Sequence, residues 1–334
     1  MRFIRPAGPA DLEALMELAE LSGAGFTSLP VDEPTLADRL ALSAQSFGGE
    51  IAPTEAWYTL MIEDAATGRV DGVAGVRAAV GLKRPHFSFR VVTLAQFSSS
   101  IGTRFDHRAL VLVNECAGWT EVGSLFLRPE ARSGGAGQLL ARSRYLLIGA
   151  EPTRFAETVM AELRGWVEPD AGSPFWDGVA SKFFRLPFVE ADRMVMSTDG
   201  QFILDLAPRH PIYVELIDPQ ACAAIGRCHR DGEPALAMLE REGFERSGLI
   251  DIFDGGPTVT CARDRIGTLA RARRLSVRID TDAGVDTALL STTAVADFRA
   301  LRALATVREN DVLISAETAE LLKVRERDVI QVSA

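Results

Sequence analysis

The chain has 334 residues, 47% of them hydrophobic and 25% charged, with a formal net charge of -10. That balance fits a substantial globular core, and the length suggests two domains or one large domain with an appendage. The negative charge disfavours a general role on nucleic acid or on an anionic membrane surface, because both partners are polyanions.

In chain order, Phe3-Ile4-Arg5-Pro6 predicts a short strand closed by proline. Asp11 stands as the N-cap of a helix in which Leu12, Leu15, Met16 and Ala19 recur at helical spacing. Gly23-Ala24-Gly25 ends it, before a loop over residues 26–30. A second helix is predicted over residues 34–47, with Leu36, Leu40 and Ser43 on one face. The aromatic and β-branched residues 57–64 and 70–76 flank Ala66-Thr67-Gly68-Arg69, which predicts a hairpin. Alternation through Phe87, Phe89 and Val91 predicts a strand within 85–100, and 110–114 and 121–127 predict two more.

Beyond Pro129, residues 138–148 read as a helix, and a further helix around 154–163 ends at Gly165. Residues 173–192 read as helix and then strand, the strand through Phe183, Phe184 and Phe188. Residues 219–228 and 234–242 read as helices; Gly243 stops the latter and Phe244 opens a strand towards Phe253. Six arginines (Arg263, Arg265, Arg271, Arg273, Arg274, Arg278) then form a basic stretch. Its ordinary reading is a solvated face, and the sharper alternative is a seat for an anionic cofactor tail. The tail from Val277 alternates β-branched runs with turns, as a small barrel-like appendage would.

The four cysteines, Cys116, Cys222, Cys228 and Cys261, lack metal-ligand spacing, so free thiols and no metal are expected. The first residues lack a signal-like apolar stretch, and no run approaches the ~18 apolar residues of a membrane span. A cytoplasmic location without a membrane partner is the expectation.

The richest local signal is the stretch from Gly123 to Leu140, where a strand runs through Pro129 into Arg132-Ser133-Gly134-Gly135-Ala136-Gly137 and then a helix. The first N–H groups of a helix have no internal partners, and the macrodipole adds positive potential there. Small residues let a phosphate approach them. A Walker A loop is excluded because Gln138 follows Gly137, and a dinucleotide fingerprint because Leu140 stands where its third glycine is needed. The spacing Arg132, Gly135, Gly137 resembles the pyrophosphate loop of the GCN5-related N-acyltransferases, which bind coenzyme A.

The element order resembles that superfamily too, and its closing helix with Gly-Phe has two candidates, one at 234–244 and one at 173–188. Over roughly residues 3–260 the chain resembles the arginine N-succinyltransferase family. The carrying strings are Gly25-Phe26-Thr27-Ser28-Leu29-Pro30, Ser124-Leu125-Phe126-Leu127, Ala161-Glu162-Leu163-Arg164-Gly165 and Ser173-Pro174-Phe175-Trp176. Further on come Pro208-Arg209-His210-Pro211, Ile225-Gly226 with His229, and Asp251-Ile252-Phe253-Asp254-Gly255-Gly256-Pro257-Thr258.

The resemblance implies a mixed α/β (α+β) fold: an acyl-CoA N-acyltransferase-like mixed sheet flanked by helices, duplicated or extended, with a small β-rich C-terminal appendage. Residues 1–262 would form the body, with two halves meeting near 195, and residues 263–334 the basic linker and barrel-like domain. It implies succinyl transfer from succinyl-CoA to the α-amine of L-arginine, in a homo-oligomer or a hetero-oligomer with a homologous subunit. Another acyl-CoA, another amine such as ornithine, or a catalytically silent CoA- or arginine-binding subunit are the alternatives.

The resemblance makes His229 the proton donor and places Leu125 at the succinyl-CoA site, with Phe126 and Leu127 on the same strand. Arg132, Gly134, Gly135 and Gly137 hold the cofactor phosphates on the turn. The guanidinium stays protonated at physiological pH, so the α-amine is the nucleophile. The reaction needs a base, an oxyanion donor and an acid for sulfur. Glu121 is a candidate base or water-orienting carboxylate, with a salt-bridged surface glutamate as the alternative. Asp251 and Asp254 are candidates for holding the substrate guanidinium, although Asp254-Gly255 is also good turn chemistry. Glu162 is a further substrate candidate, or the partner of Arg164. Adjacent side chains diverge, so Cys228 and His229 are not expected to form a covalent dyad.

Overall fold

The computed structural model describes residues 1–334 except 24–27, 168–171, 189, 192–200, 281–283, 285 and 334. In chain order the first strands are β1 (Arg2–Pro6), β2 (Trp57–Asp64), β3 (Val70–Arg77), β4 (Ser88–Ser98) and β5 (Thr103–Val113). There follow β6 (Thr120–Leu127), β7 (Thr158–Glu162), β8 (Ile212–Tyr213), β9 (Glu245–Asp251) and β10 (Pro257–Ala262). The last five are β11 (Arg273–Ile279), β12 (Asp286–Ser291), β13 (Ala300–Val307), β14 (Asp311–Ile314) and β15 (Val329–Ser333). The chain forms two compact units, one of residues 1–79, 120–159 and 262–334, the other of 80–119 and 160–261.

In the first unit β1, β2, β3 and β6 lie side by side as an antiparallel sheet. Helices α1 (Leu12–Ser22) and α2 (Glu33–Gly48) cover it, burying Leu15, Leu18, Leu36 and Leu40 against Met61 and Val73. Asp32 caps α2 by accepting the Thr35 N–H. Asp11 occupies the N-cap position of α1 without capping it. Its carboxylate is taken by the Arg5 guanidinium, at 2.8 and 2.7 Å. The 26–30 loop expected from sequence lies outside the described residues as far as Thr27, while Ser28, Leu29 and Pro30 are described.

The C-terminal strands of the same unit close on themselves: β12 pairs β15, β15 pairs β11, β11 pairs β14, β14 pairs β13, and β13 returns to β12. This is a five-stranded barrel filled by Leu275, Val277, Leu290, Leu301, Ile330 and neighbours. The barrel-like tail is therefore present, and β13 also pairs with β1 through Phe3↔Leu301. Within the basic stretch, Arg274 donates to the Ala150 and Gly149 carbonyls at the end of helix α3 (Ala136–Ala150). Arg263 donates to the Pro152 and Phe155 carbonyls. These guanidiniums satisfy orphan carbonyls at the negative end of a helix and in the turn after it, which accounts for part of the basic run.

The second unit is built on β10, β9, β4, β5 and β8 in that order. Four sequence expectations fail here and at its border. Residues 154–163 are not a helix: a 3-10 turn Pro152–Arg154 leads to strand β7, whose Val159, Met160 and Ala161 are all buried. An apolar run of that length suits a doubly covered strand as well as a helix face, and sheet pairing decides it. The expected strand through Phe183 and Phe188 is helical, with Ser181–Phe184 following a π-turn Trp176–Ala180. The rings of Trp176 and Phe184 stack at 5.9 Å and those of Trp176 and Phe253 at 5.7 Å, so packing between elements fixes this segment. Strand β5 starts at Thr103 rather than near 110, because its polar outer half pairs with β4 throughout. The helix expected over 219–228 stops at Ala224. No described helix is long and apolar enough to cross a membrane.

Candidate active site

In the first unit, β6 carries the strand half of the site. Its register against β3 runs Gly72↔Leu127 and Val73↔Phe126, then Gly75↔Gly123, so Ser124 and Leu125 together face Ala74. The extra residue is a bulge, with Ser124 at φ 49°, a left-handed conformation that side chains other than glycine rarely adopt. The Ser124 hydroxyl donates to the Ser28 carbonyl at 3.1 Å, which helps hold the strained turn. At the bulge the ladder is interrupted and Leu125 sits where backbone polar groups leave the sheet. Phe126 and Leu127 are back in register and 8% exposed each.

Beyond the strand, Gly134 and Gly135 adopt φ 63° and 80°, and Gly135 is the left-handed N-cap of α3. A Cβ on Gly134 or Gly137 would meet no atom within 4 Å, so the turn is open on that side. Arg132 folds back instead: its Nε donates to the Leu127 carbonyl at 3.1 Å and its guanidinium lies 5.8 Å from the Phe126 ring. A cation at the turn is Arg302 of β13, whose Nη1 crowds the place a Gly135 Cβ would take. Sequence reasoning had no signal for it, because 165 or more residues separate the two. Gly135→Ala is expected to weaken CoA binding by about tenfold, since it adds left-handed strain of roughly 1 kcal/mol and displaces that guanidinium. Calorimetric titration with CoA checks it.

Glu121, also on β6, is partly buried and ion-paired to Arg77 at 3.3 Å.

In the second unit four expected residues come together. The His229 N–H donates to the Arg164 carbonyl at 2.8 Å. The next residue, Gly165, donates its N–H to Asp254 Oδ2 at 2.7 Å, and Asp254 Oδ1 accepts from Gly256 at 2.8 Å. Gly165 is required: a Cβ there would overlap the Asp254 backbone. Asp251 Oδ1 accepts the N–H groups of Phe253 and Asp254 at 2.7 and 2.9 Å. Burial, followed by the Asp254 and Glu162 charges, pushes the Asp251 carboxyl well above the usual carboxylate range. Burial also raises Asp254, against the pull of its two backbone donors.

Glu162 pairs with His86 at 2.9 Å, a contact that sequence reading did not foresee. Across the ladder from Asp251 stands Ser88, whose buried hydroxyl has no hydrogen-bond partner among the described residues.

The His229 imidazole accepts the Asp231 N–H on Nδ1 at 3.2 Å, which puts the proton of the neutral ring on Nε2. Burial first, then the Arg164 charge, lower its pKa. Burial pushes the Cys228 thiol up to about 11, which makes it a poor thiolate.

The first unit thus carries a bulged strand that feeds a glycine turn and a helix N-terminus, and the second a histidine near a cluster of carboxyl groups. Two family models match the chain: residues 2–268 match the arginine N-succinyltransferase beta subunit, and residues 273–334 match its C-terminal domain. The arginine N-succinyltransferase of Salmonella typhimurium (strain LT2) is 37% identical over 333 residues, 99% of this chain and 97% of that one. The solved arginine/ornithine succinyltransferase subunit AI from Pseudomonas aeruginosa superposes with a TM-score of 0.90 at 32% identity, covering 100% of this chain and 98% of that one. The chain belongs to the arginine N-succinyltransferase family.

Proposed function

We propose that the protein transfers the succinyl group of succinyl-CoA to the α-amine of L-arginine in the cytoplasm, giving N2-succinylarginine and CoA. The phosphates of the acyl-CoA rest on the turn of Arg132, Gly134, Gly135 and Gly137, with Arg302 adding charge to the helix N-terminus. Leu125 offers the pantetheine amides the N–H and C=O that the bulge takes out of the ladder, and Phe126 and Leu127 continue that wall. The deprotonated amine attacks the thioester carbon, the tetrahedral oxyanion collapses, and His229 protonates the departing sulfur. Glu121, fixed by Arg77, orients water or takes the amine proton.

The cluster of carboxyl groups carries the choice of arginine as acceptor. Asp251, Asp254 and Glu162 place three carboxyl groups near one another; burial raises both Asp251 and Asp254, and the neighbouring carboxylate charges add to it. A guanidinium entering there offsets those charges and pairs with planar carboxylates. Ornithine is the second reading, since the solved relative is named for both amino acids.

Thiol release decides between them. Succinyl-CoA with arginine is expected to be the fastest pair among succinyl- or acetyl-CoA with arginine or ornithine. Faster turnover with acetyl-CoA sinks the succinyl assignment, and no release from any pair leaves a silent binding subunit.

We take residues 1–262 as the transferase body and 263–334 as linker and barrel domain; the two family models change over between residues 268 and 273. We further propose that the chain works as an oligomer, with copies of itself or with a homologous subunit.

A further inference from the structure

The acyl group to be transferred carries a carboxylate of its own, and none of the residues above answers it. In the first unit Arg39 of α2 is 8% exposed, and its guanidinium lies 4.4 Å from the centroid of the Trp57 ring. Arg77 of β3 stacks on the same indole at 4.7 Å. Arg39 donates from Nη1 to the Ser28 carbonyl and contacts no carboxylate among the described residues. The two guanidiniums therefore share a single carboxylate, Glu121, which pairs with Arg77. Burial first, and the Arg77 charge second, pull Arg39 down to about 10. A buried cation short of a counter-charge is costly to keep unless something anionic meets it.

Its position says what that anion is. The Ser28 carbonyl that accepts from Arg39 also accepts from the Ser124 hydroxyl at the bulge. Trp57 reaches the same place: a Cβ on Gly75 would lie 3.3 Å from the indole nitrogen and 3.4 Å from the Ser124 side chain. Both guanidiniums lie over the indole, and beyond the Nη1 bonds to Ser28 and Glu121 each is a planar fork with further N–H groups suited to a carboxylate.

We propose that Arg39, with Arg77 beside it, receives the terminal carboxylate of the acyl group and so selects a dicarboxylic acyl-CoA over an apolar one. This rests on the reading of the Leu125 bulge as the acyl-CoA edge. The α-carboxylate of arginine is the other source of the same chemistry, and the test separates the two.

The kcat/KM is measured for succinyl-CoA and for butyryl-CoA, its near-isostere ending in a methyl group. Each is offered with arginine and with agmatine, which is arginine without its carboxylate. Wild type, Arg39→Gln and Arg77→Gln are compared. Arg39→Gln is expected to lower the preference for succinyl-CoA over butyryl-CoA by about 10- to 100-fold. Arg77→Gln moves it the same way by less, and the arginine-to-agmatine ratio stays constant.

A preference that survives both substitutions, or an equal loss with both acyl donors, overturns the inference. A fall in the arginine-to-agmatine ratio overturns it too, by assigning Arg39 to the acceptor. Should Arg39→Gln not fold, Arg77→Gln decides alone, since its side chain is 39% exposed. A wild type that succinylates nothing rejects the proposed function itself, which is a different result from a working enzyme with unchanged acyl preference.

Discussion

His229→Ala lowers kcat for succinyl transfer by about 10²- to 10³-fold and leaves the affinity for CoA unchanged. The first half follows from chemistry: the thiolate of CoA is a strong enough base that its departure is eased by a proton delivered as the carbon–sulfur bond breaks. The second half follows from position, because the phosphate turn is built from Gly134, Gly135 and their helix and takes nothing from His229. The pH profile supplies a check that a merely structural histidine would not pass. Burial and the Arg164 charge hold the imidazolium below the ordinary value near 6.5. The donor form is therefore populated only beneath that value, and a kcat limited by it declines as pH rises through it. The Asp231 carboxylate, 3.6 Å from Nδ1, partly offsets that lowering by favouring the charged ring. In the alanine variant that limb of the profile disappears. Lost CoA binding, or a limb unchanged in the variant, sinks the assignment.

The glycine turn was legible because everything that makes it is local: a strand, a proline, three small residues and a helix in one short stretch. The bulge was not. Gly123-Ser124-Leu125 has no turn signature, and Ser124 is driven to positive φ by its pairing with β3 and its bond to Ser28, almost a hundred residues away. Residues 154–163 show the opposite failure, an apolar run whose period fits either element until neighbouring strands claim it. Arg39 was placed on a predicted helix, yet nothing in that helix says the guanidinium is buried under Trp57. Asp254 carried two open readings, turn residue or guanidinium ligand. Each of its two oxygens accepts a backbone N–H, from Gly165 and Gly256, whereas both backbone bonds of Asp251 fall on Oδ1, and we propose that Asp251 carries more of the substrate role. The barrel was half legible: its β-branched runs were visible, while the closure of β12 on β13 belongs to tertiary structure.

That division of labour between the two aspartates makes Asp251→Asn the sharpest test of the acceptor site. Asparagine keeps an Oδ1 to accept from Phe253 and Asp254, so the turn survives, and only the charge is lost. The KM for arginine should rise by roughly 10- to 100-fold, the worth of a charge-assisted bond, with the KM for succinyl-CoA unmoved. Stability should move the other way. The folded-state pKa of Asp251 is raised, so its neutral form is favoured by folding and the ionised form is penalised as pH climbs through that value. The asparagine variant should therefore melt higher than wild type at alkaline pH and gain little in acid, where the wild-type carboxyl is already neutral. Asp254→Asn gives the contrast: one of its two accepting oxygens becomes an NH₂ facing a backbone N–H, and the melting temperature falls. An Asp251→Asn enzyme with normal KM for arginine would place the guanidinium elsewhere, and an alkaline melting temperature below wild type would mean that the ionised carboxylate is stabilised after all. Gain of stability with loss of substrate affinity is the pattern of a site kept electrostatically strained so that its ligand can relieve it.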